Sequence, residues 1–96
     1  MPQLRISPRA RSDLLRLYQF LASKSLATGG QAIDAIEAAL IPLTHMPKIG
    51  RPVADTIREL IIDFGSSGYI ALYDFDEVVD EVIVLAVRHQ RERDYS

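Results

Sequence analysis

The chain has no cysteine, which removes disulfides, thiolate zinc sites and cysteine nucleophiles together. Histidine is nearly as scarce. His45 and His89 stand alone and outside any ligand-spaced cluster, so no metal and no other cofactor is expected. Long apolar runs are missing as well: the longest is Val82 to Val87, far short of the roughly 20 residues of a membrane helix. Nor does the start of the chain read as a cationic-then-apolar leader. The expectation is a cytoplasmic protein with no membrane contact. Lysine is limited to Lys24 and Lys48, and the net charge is −2. Nonspecific phosphate binding needs a clustered cationic excess, so direct nucleic-acid recognition is not expected to be the main task. No internal repeat or low-complexity stretch occurs.

What is present is concentrated in the last third, Ile57 to His89. Three apolar runs, Ile57–Phe64, Tyr69–Phe75 and Val78–Val87, are rich in β-branched and aromatic residues. Two short breaks, Gly65-Ser66-Ser67-Gly68 and Asp74 to Glu77, divide them, which predicts a three-stranded antiparallel meander. Gln3 to Ser7 alternates as a short first strand. Ser7-Pro8 then reads as an N-cap with proline at the first helical position. Ala10, Leu14, Leu17, Tyr18 and Leu21 follow helical spacing to near Lys24. After a break at Ser25–Gly30, with Ser25 or Thr28 as cap, Ile33, Ile36, Leu40 and Leu43 continue the same period. Pro42 should kink this second helix, and Met46-Pro47 should end it. Lys48 to Thr56 is read as a loop. The predicted fold is α+β, with an N-terminal strand, an antiparallel two-helix hairpin (about 8–46), the meander (about 57–89) and a polar tail (90–96). At 96 residues this is a single domain with one small core.

Charge is unevenly placed. Arg5, Arg9, Arg11 and Arg16 open the chain and Arg88, Arg91 and Arg93 close it, whereas Asp74, Asp76, Glu77, Asp80 and Glu81 crowd one hairpin. Arginine is the cation suited to bidentate contact with carboxylate or phosphate.

Several of these residues, in this order, carry a family likeness over nearly the whole chain. Ala10, Asp13-Leu14 and Tyr18 in the first helix, Pro47 followed by Gly50-Arg51, Arg58-Glu59-Leu60 opening a strand, Tyr69 and Tyr73 in the next, and Val87-Arg88-His89 with Arg91 at the end resemble the ParE branch of the RelE/ParE toxin superfamily. The resemblance implies a type II toxin–antitoxin (plasmid stabilization) toxin, neutralised by a ParD-like antitoxin whose C-terminal segment wraps it. It further implies inhibition of DNA gyrase or another topoisomerase by binding, without a catalytic centre. RelE-like members, the alternative, cleave mRNA in the ribosomal A site. A non-toxic binding module is the second alternative, and a homodimer or a toxin–antitoxin hetero-oligomer fits either.

Each reading names its own residues. Target binding would fall to Arg51, Arg58, Arg88, His89, Arg91 and Arg93. Antitoxin binding would use Arg9, Arg16, Tyr18, Arg58 and Arg88 on the hairpin's exposed side and an open sheet edge. A ribonuclease would take His89 as base or acid, Glu59 as base, Arg58, Arg88 and Arg91 for the developing phosphorane charge, and Tyr95 as acid or stacking residue. Against these stand structural roles: Arg51 pairing Asp55 or Glu59, Tyr69 and Tyr73 as core, and His45 as a helix-end side chain. Adjacent residues on a strand face opposite ways, so Arg58 and Glu59 should lie on opposite faces of the sheet.

Overall fold

In the computed structural model, which describes residues 1–92 and Tyr95, the order is β1 (Gln3–Ile6), α1 (Pro8–Ala22), α2 (Leu26–Leu40), a 3₁₀ turn (Ile41–Thr44), β2 (Arg51–Ala54), β3 (Ile57–Phe64), β4 (Ser67–Asp76) and β5 (Glu81–His89). Ser7 caps α1 by accepting from the Ala10 amide, and Ser25 caps α2 by accepting from the Thr28 amide. Gly29 and Gly30 fall inside α2. Gly29 lies where the helices meet, since a Cβ there would stand 3.2 Å from both Ala22 and Tyr18. Pro42 ends the regular helix rather than kinking it, because it sits at the start of the 3₁₀ turn, where its missing N–H does no harm.

The sheet has the order β1-β5-β4-β3-β2. β3, β4 and β5 form the antiparallel meander, and β1 joins it alongside β5 in parallel, which makes the sheet mixed. The strands depart from the sequence reading in three details, the first being that β4 begins at Ser67, inside the expected Gly65–Gly68 break. The stretch expected to be a loop contains β2, a short edge strand whose four residues are all exposed. The second turn is Glu77–Asp80 rather than Asp74–Glu77. The Asp76 carboxylate accepts from the Val78 and Val79 amides there, which places both valines in the turn, Val78 almost fully exposed.

The helical hairpin covers one face of the sheet. Ala10 and Leu17 of α1, Ala32, Ile36 and Leu40 of α2, and Leu43 meet Ile62, Tyr69, Ala71, Tyr73, Val82, Val84 and Val87. Leu85 is an extra residue in β5, since Tyr73 pairs with Val84 and Leu72 with Ala86. This bulge is where α1 is fastened. Ser7 Oγ donates to the Leu85 carbonyl at 3.1 Å, and the Val87 amide donates to Asp13 Oδ2 at 2.9 Å. Asp13 is therefore buried with a partner, and it is flanked by Arg9 and Arg16 at 3.7 and 3.8 Å.

Candidate functional site

The face of the sheet opposite the helices brings together the polar residues of β2, β3 and β5. The β2–β3 register sets Arg51 directly across from Glu59, and its Nε and Nη2 both donate to Glu59 Oε1, at 3.2 and 2.7 Å. The other carboxylate oxygen accepts from the Tyr95 hydroxyl at 2.5 Å. Glu59 and Arg88 lie on strands that flank β4, about 10 Å apart across the sheet. Tyr95 bridges that gap, its phenol on Glu59 and its ring 5.1 Å from the Arg88 guanidinium. Arg88 Nη1 donates to the carbonyls of His89, Gln90 and Glu92, which folds the chain after β5 back toward this face. Its Nε is buried and has no partner among the described residues.

Electrostatics make the cluster an ionised carboxylate with a held phenol. Burial would raise the Glu59 pKa, but hydrogen bonds from Tyr95 and Arg51 and the charges of Arg51 and Arg88 outweigh it and hold the carboxyl below its ordinary range. Tyr95 moves the other way. Burial and the bond to the Glu59 carboxylate push its phenol well above the ordinary tyrosine value, and Arg88 opposes this only in part. A proton acceptor, a proton donor and two guanidinium groups thus share the face of the sheet turned away from the helices, with the Glu59 carboxylate itself nearly buried among them.

The other singled-out residues lie elsewhere. Arg58 pairs across from Tyr73 on the helix-covered face, and its Nη1 donates to the carbonyls of Lys48 and Gly50 at 3.0 and 2.7 Å. There it holds the loop before β2. Tyr73 does the same from inside the core, donating to Pro47 O and accepting from the Gly50 amide, both at 2.8 Å. Gly50 is required at this spot, because a Cβ would come within 2.7 Å of the Glu59 carbonyl and 2.6 Å of the Tyr73 hydroxyl.

His89 also faces the helix side, but at the far end of the sheet. Its row is Ile62–Tyr69–His89, four residues along β3 from Arg58, or about 13 Å. Arg58 and His89 therefore do not act on one phosphate, and neither shares a face with Glu59. His89 Nδ1 accepts from the Arg91 amide at 3.1 Å, so in the neutral ring Nε2 carries the proton and donates to Ser67 Oγ at 3.0 Å. That tautomer cannot take a proton from Ser67, which rules out a serine–histidine nucleophile here. Arg16 pairs with Glu92 at 3.2 Å, and Tyr18 packs against α2. Arg9 remains half-exposed beside Asp13, and Arg93 lies outside the described residues.

The sequence offered Arg51–Glu59 as an ion pair, which the structure contains, and grouped Glu59, Arg88 and Tyr95 as ribonuclease residues, but it did not separate them from Arg58 and His89. The parity expected of Arg58 and Glu59 is present, and the same alternation separates Arg88 from His89; it is the pairing register that puts the second of one pair on the same face as the first of the other.

A family model described as the ParE toxin of the type II toxin–antitoxin system parDE matches residues 4–94. The chain belongs to this family of toxins. Two curated relatives from Caulobacter vibrioides stand beside that match. One, named Toxin RelE3, is 32% identical over 93 residues, 97% of this chain and 99% of the relative. The other, named Toxin RelE1, is 38% identical over 68 residues, 71% of this chain and 73% of the relative. Among solved structures, the toxin–antitoxin complex RelBE2 from Mycobacterium tuberculosis contains a chain with a TM-score of 0.60 at 23% identity, covering 94% of this ParE-family chain and all of that one. That likeness speaks for the fold. The gyrase target inferred from the ParE resemblance gains nothing from the relatives, whose names are RelE.

Proposed function

We propose that this toxin acts by cutting mRNA on the ribosome, and that a cognate antitoxin holds it in check. The observation that carries this reading is the convergence of Glu59, Arg51, Tyr95 and Arg88 on the face of the sheet away from the helices. The relatives named RelE support it further. Glu59, kept ionised, accepts the proton of a 2′-hydroxyl as that oxygen attacks the adjacent phosphorus. Arg51 and Arg88 stabilise the charge that develops on the phosphorane. The bond from phosphorus to the 5′-oxygen breaks, and the leaving oxygen takes a proton from Tyr95, which leaves a 2′,3′-cyclic phosphate and a 5′-hydroxyl. The ribosome supplies the RNA in position, and this answers the objection raised by a net charge of −2. Of the two bases that the sequence offers, His89 and Glu59, this reading takes Glu59.

The test is a reconstituted translation reaction in which cuts in the message are mapped. Wild-type toxin is expected to give codon-positioned cuts, and Glu59→Gln or Tyr95→Phe to slow them about 100-fold, the usual scale of a lost acid or base. The second reading, gyrase binding, is favoured by the family model itself, which describes a parDE toxin. It would prevail if the message stayed intact while near-stoichiometric toxin blocked supercoiling by gyrase.

A further inference from the structure

Arg51 is the least anchored member of the cleavage site. Its side chain is 64% exposed, and an exposed ion pair is weak unless something else fixes its geometry. β2 alone does not fix it. That strand is four residues at the sheet edge, all exposed, its register shifts between Pro52 and Ala54, and Pro52 has no N–H to give to the ladder. The order comes from the other side of the sheet. The Arg58 guanidinium donates to the carbonyls of Lys48 and Gly50 at 3.0 and 2.7 Å, and the Tyr73 hydroxyl accepts from the Gly50 amide and donates to the Pro47 carbonyl, both at 2.8 Å. The Gly50 carbonyl belongs to the peptide that also carries the Arg51 nitrogen, so the Arg58 bond fixes the plane from which Arg51 departs. Tyr73 is fully buried, which makes its ring a fixed post in the core. Gly50 permits this closeness, because its bare Cα rests against β3 where a Cβ would stand 2.7 Å from the Glu59 carbonyl. Arg58 and Glu59 are consecutive and face opposite ways, so Arg58 does not reach a substrate held at Glu59.

We propose that Arg58 and Tyr73 are positioning residues of the cleavage site: from the helix side they hold the Gly50–Arg51 peptide so that the Arg51 guanidinium meets the Glu59 carboxylate on the far face. The assignment rests on the cleavage reading above. A clamp that served the loop alone would leave Glu59 untouched, and the two cases differ in a measurable way. Against the cost of burial, Glu59 is kept ionised by the bonds from Tyr95 and Arg51 and by the charges of Arg51 and Arg88, so two of these four influences come from Arg51 and none from Arg58. Asp74 of β4 and Asp63 of β3 share that face further along the strands. Loss of Arg58 therefore reaches Glu59 through the placement of Arg51. Arg58, which the sequence offered for the phosphorane charge, thus acts by aiming the guanidinium that bears it.

The test combines NMR titration of the Glu59 carboxyl, on full-length toxin isotope-labelled at glutamate, with the reconstituted translation reaction. Arg58→Leu is expected to lower the cleavage rate at saturating ribosomes about tenfold with KM changed less than about twofold, the pattern of a displaced catalytic group, and to raise the Glu59 midpoint toward the ordinary glutamate range. Arg58→Lys, which keeps a charged donor, should recover most of both. Tyr73→Phe removes one oxygen and keeps the buried ring, so it should move both readouts in the same direction by less, and it carries the test if Arg58→Leu does not fold. In an Arg51→Ala background Arg58→Leu should change neither, because the group it places is gone. Ile36→Val, a core truncation in α2, supplies a variant of lowered melting temperature in which the Glu59 midpoint stays put. An unchanged Glu59 midpoint in folded Arg58→Leu and Tyr73→Phe would overturn the proposal, as would an equal fall in cleavage with and without Arg51. Intact message with wild-type toxin would instead remove the cleavage reading, and the Glu59 midpoint, which needs no RNA, would still decide whether the clamp places Arg51.

Discussion

Glu59 is the residue on which acid stability and activity meet. Its carboxyl is held below the ordinary range by Tyr95, Arg51 and Arg88 against the cost of burial, and Glu92 is likewise lowered by the His89 amide, by Arg16 and by the His89 charge, again in spite of burial. A carboxyl with a depressed folded value adds stability that is fully present above the unfolded value of about 4.3 and is lost as pH falls through the folded one. The toxin should therefore lose stability in steps below about pH 4.5. Glu59→Gln should flatten that acid limb. Tyr95→Phe, by removing one of the bonds that lower Glu59, should shift it to higher pH and cost about 1–3 kcal/mol at neutral pH. At the alkaline end the sign reverses. The raised Tyr95 value gives stability that is complete below about pH 10 and declines above it; burial raises Tyr69 and Tyr73 as well, so Tyr95→Phe should lessen this decline without removing it. Urea midpoints taken from pH 3 to 11 measure all three. An acid limb identical in wild type and Glu59→Gln would show that the carboxylate is not held as the geometry requires.

Among the elements, α1 depends on the β5 bulge more than on its own sequence. A regular strand would have spent the Val87 amide on the ladder, but the extra Leu85 frees it for Asp13, and Ser7 takes the Leu85 carbonyl. Asp13→Ala should cost about 2–3 kcal/mol in urea unfolding, because it strands a buried N–H and removes a charge-assisted bond. Asp13→Asn, which keeps an acceptor, should cost about half as much. If the two changes cost the same, the bond to Val87 would carry no stability. The bulge also shows where the sequence stopped being readable. Apolar periodicity gave both helices and the meander, since Ala10 and Leu17 recur on the buried stripe of α1 and Tyr69, Ala71 and Tyr73 alternate toward the helices along β4. β2 was hidden by Gly50 and Pro52, which read as breakers, although Pro52 is harmless on an edge strand. The grouping of Glu59 with Arg88, and of neither with His89, depends on register and on the bulge, and no local pattern encodes those.

At the level of the whole molecule the charges are sorted along β4. The β4–β5 turn collects Asp76, Glu77 and Asp80 at one end of that ten-residue strand, and a groove rimmed by Arg16, Lys24 and Arg91 lies at the other, about 30 Å away. Such a separation steers an acidic partner to one end and repels it from the other. It also matters for stability, because a chain of 96 residues folds with only about 5–10 kcal/mol in hand. A partner that binds the folded toxin and not the unfolded chain adds RT ln(1 + [L]/Kd), about 2.7 kcal/mol at a hundredfold excess over Kd. For a domain of this size that amounts to a rise in Tm of roughly 10–20 °C. The antitoxin should therefore raise the melting temperature by that much in a concentration series, and by less at high salt, where the rim cations are screened. Lys24→Glu with Arg91→Glu should shrink the rise at low salt and leave the melting of free toxin nearly unaltered, since neither side chain is buried in the core. A shift that does not grow with antitoxin concentration would mean that the partner binds folded and unfolded chain alike, and that the toxin's stability is its own.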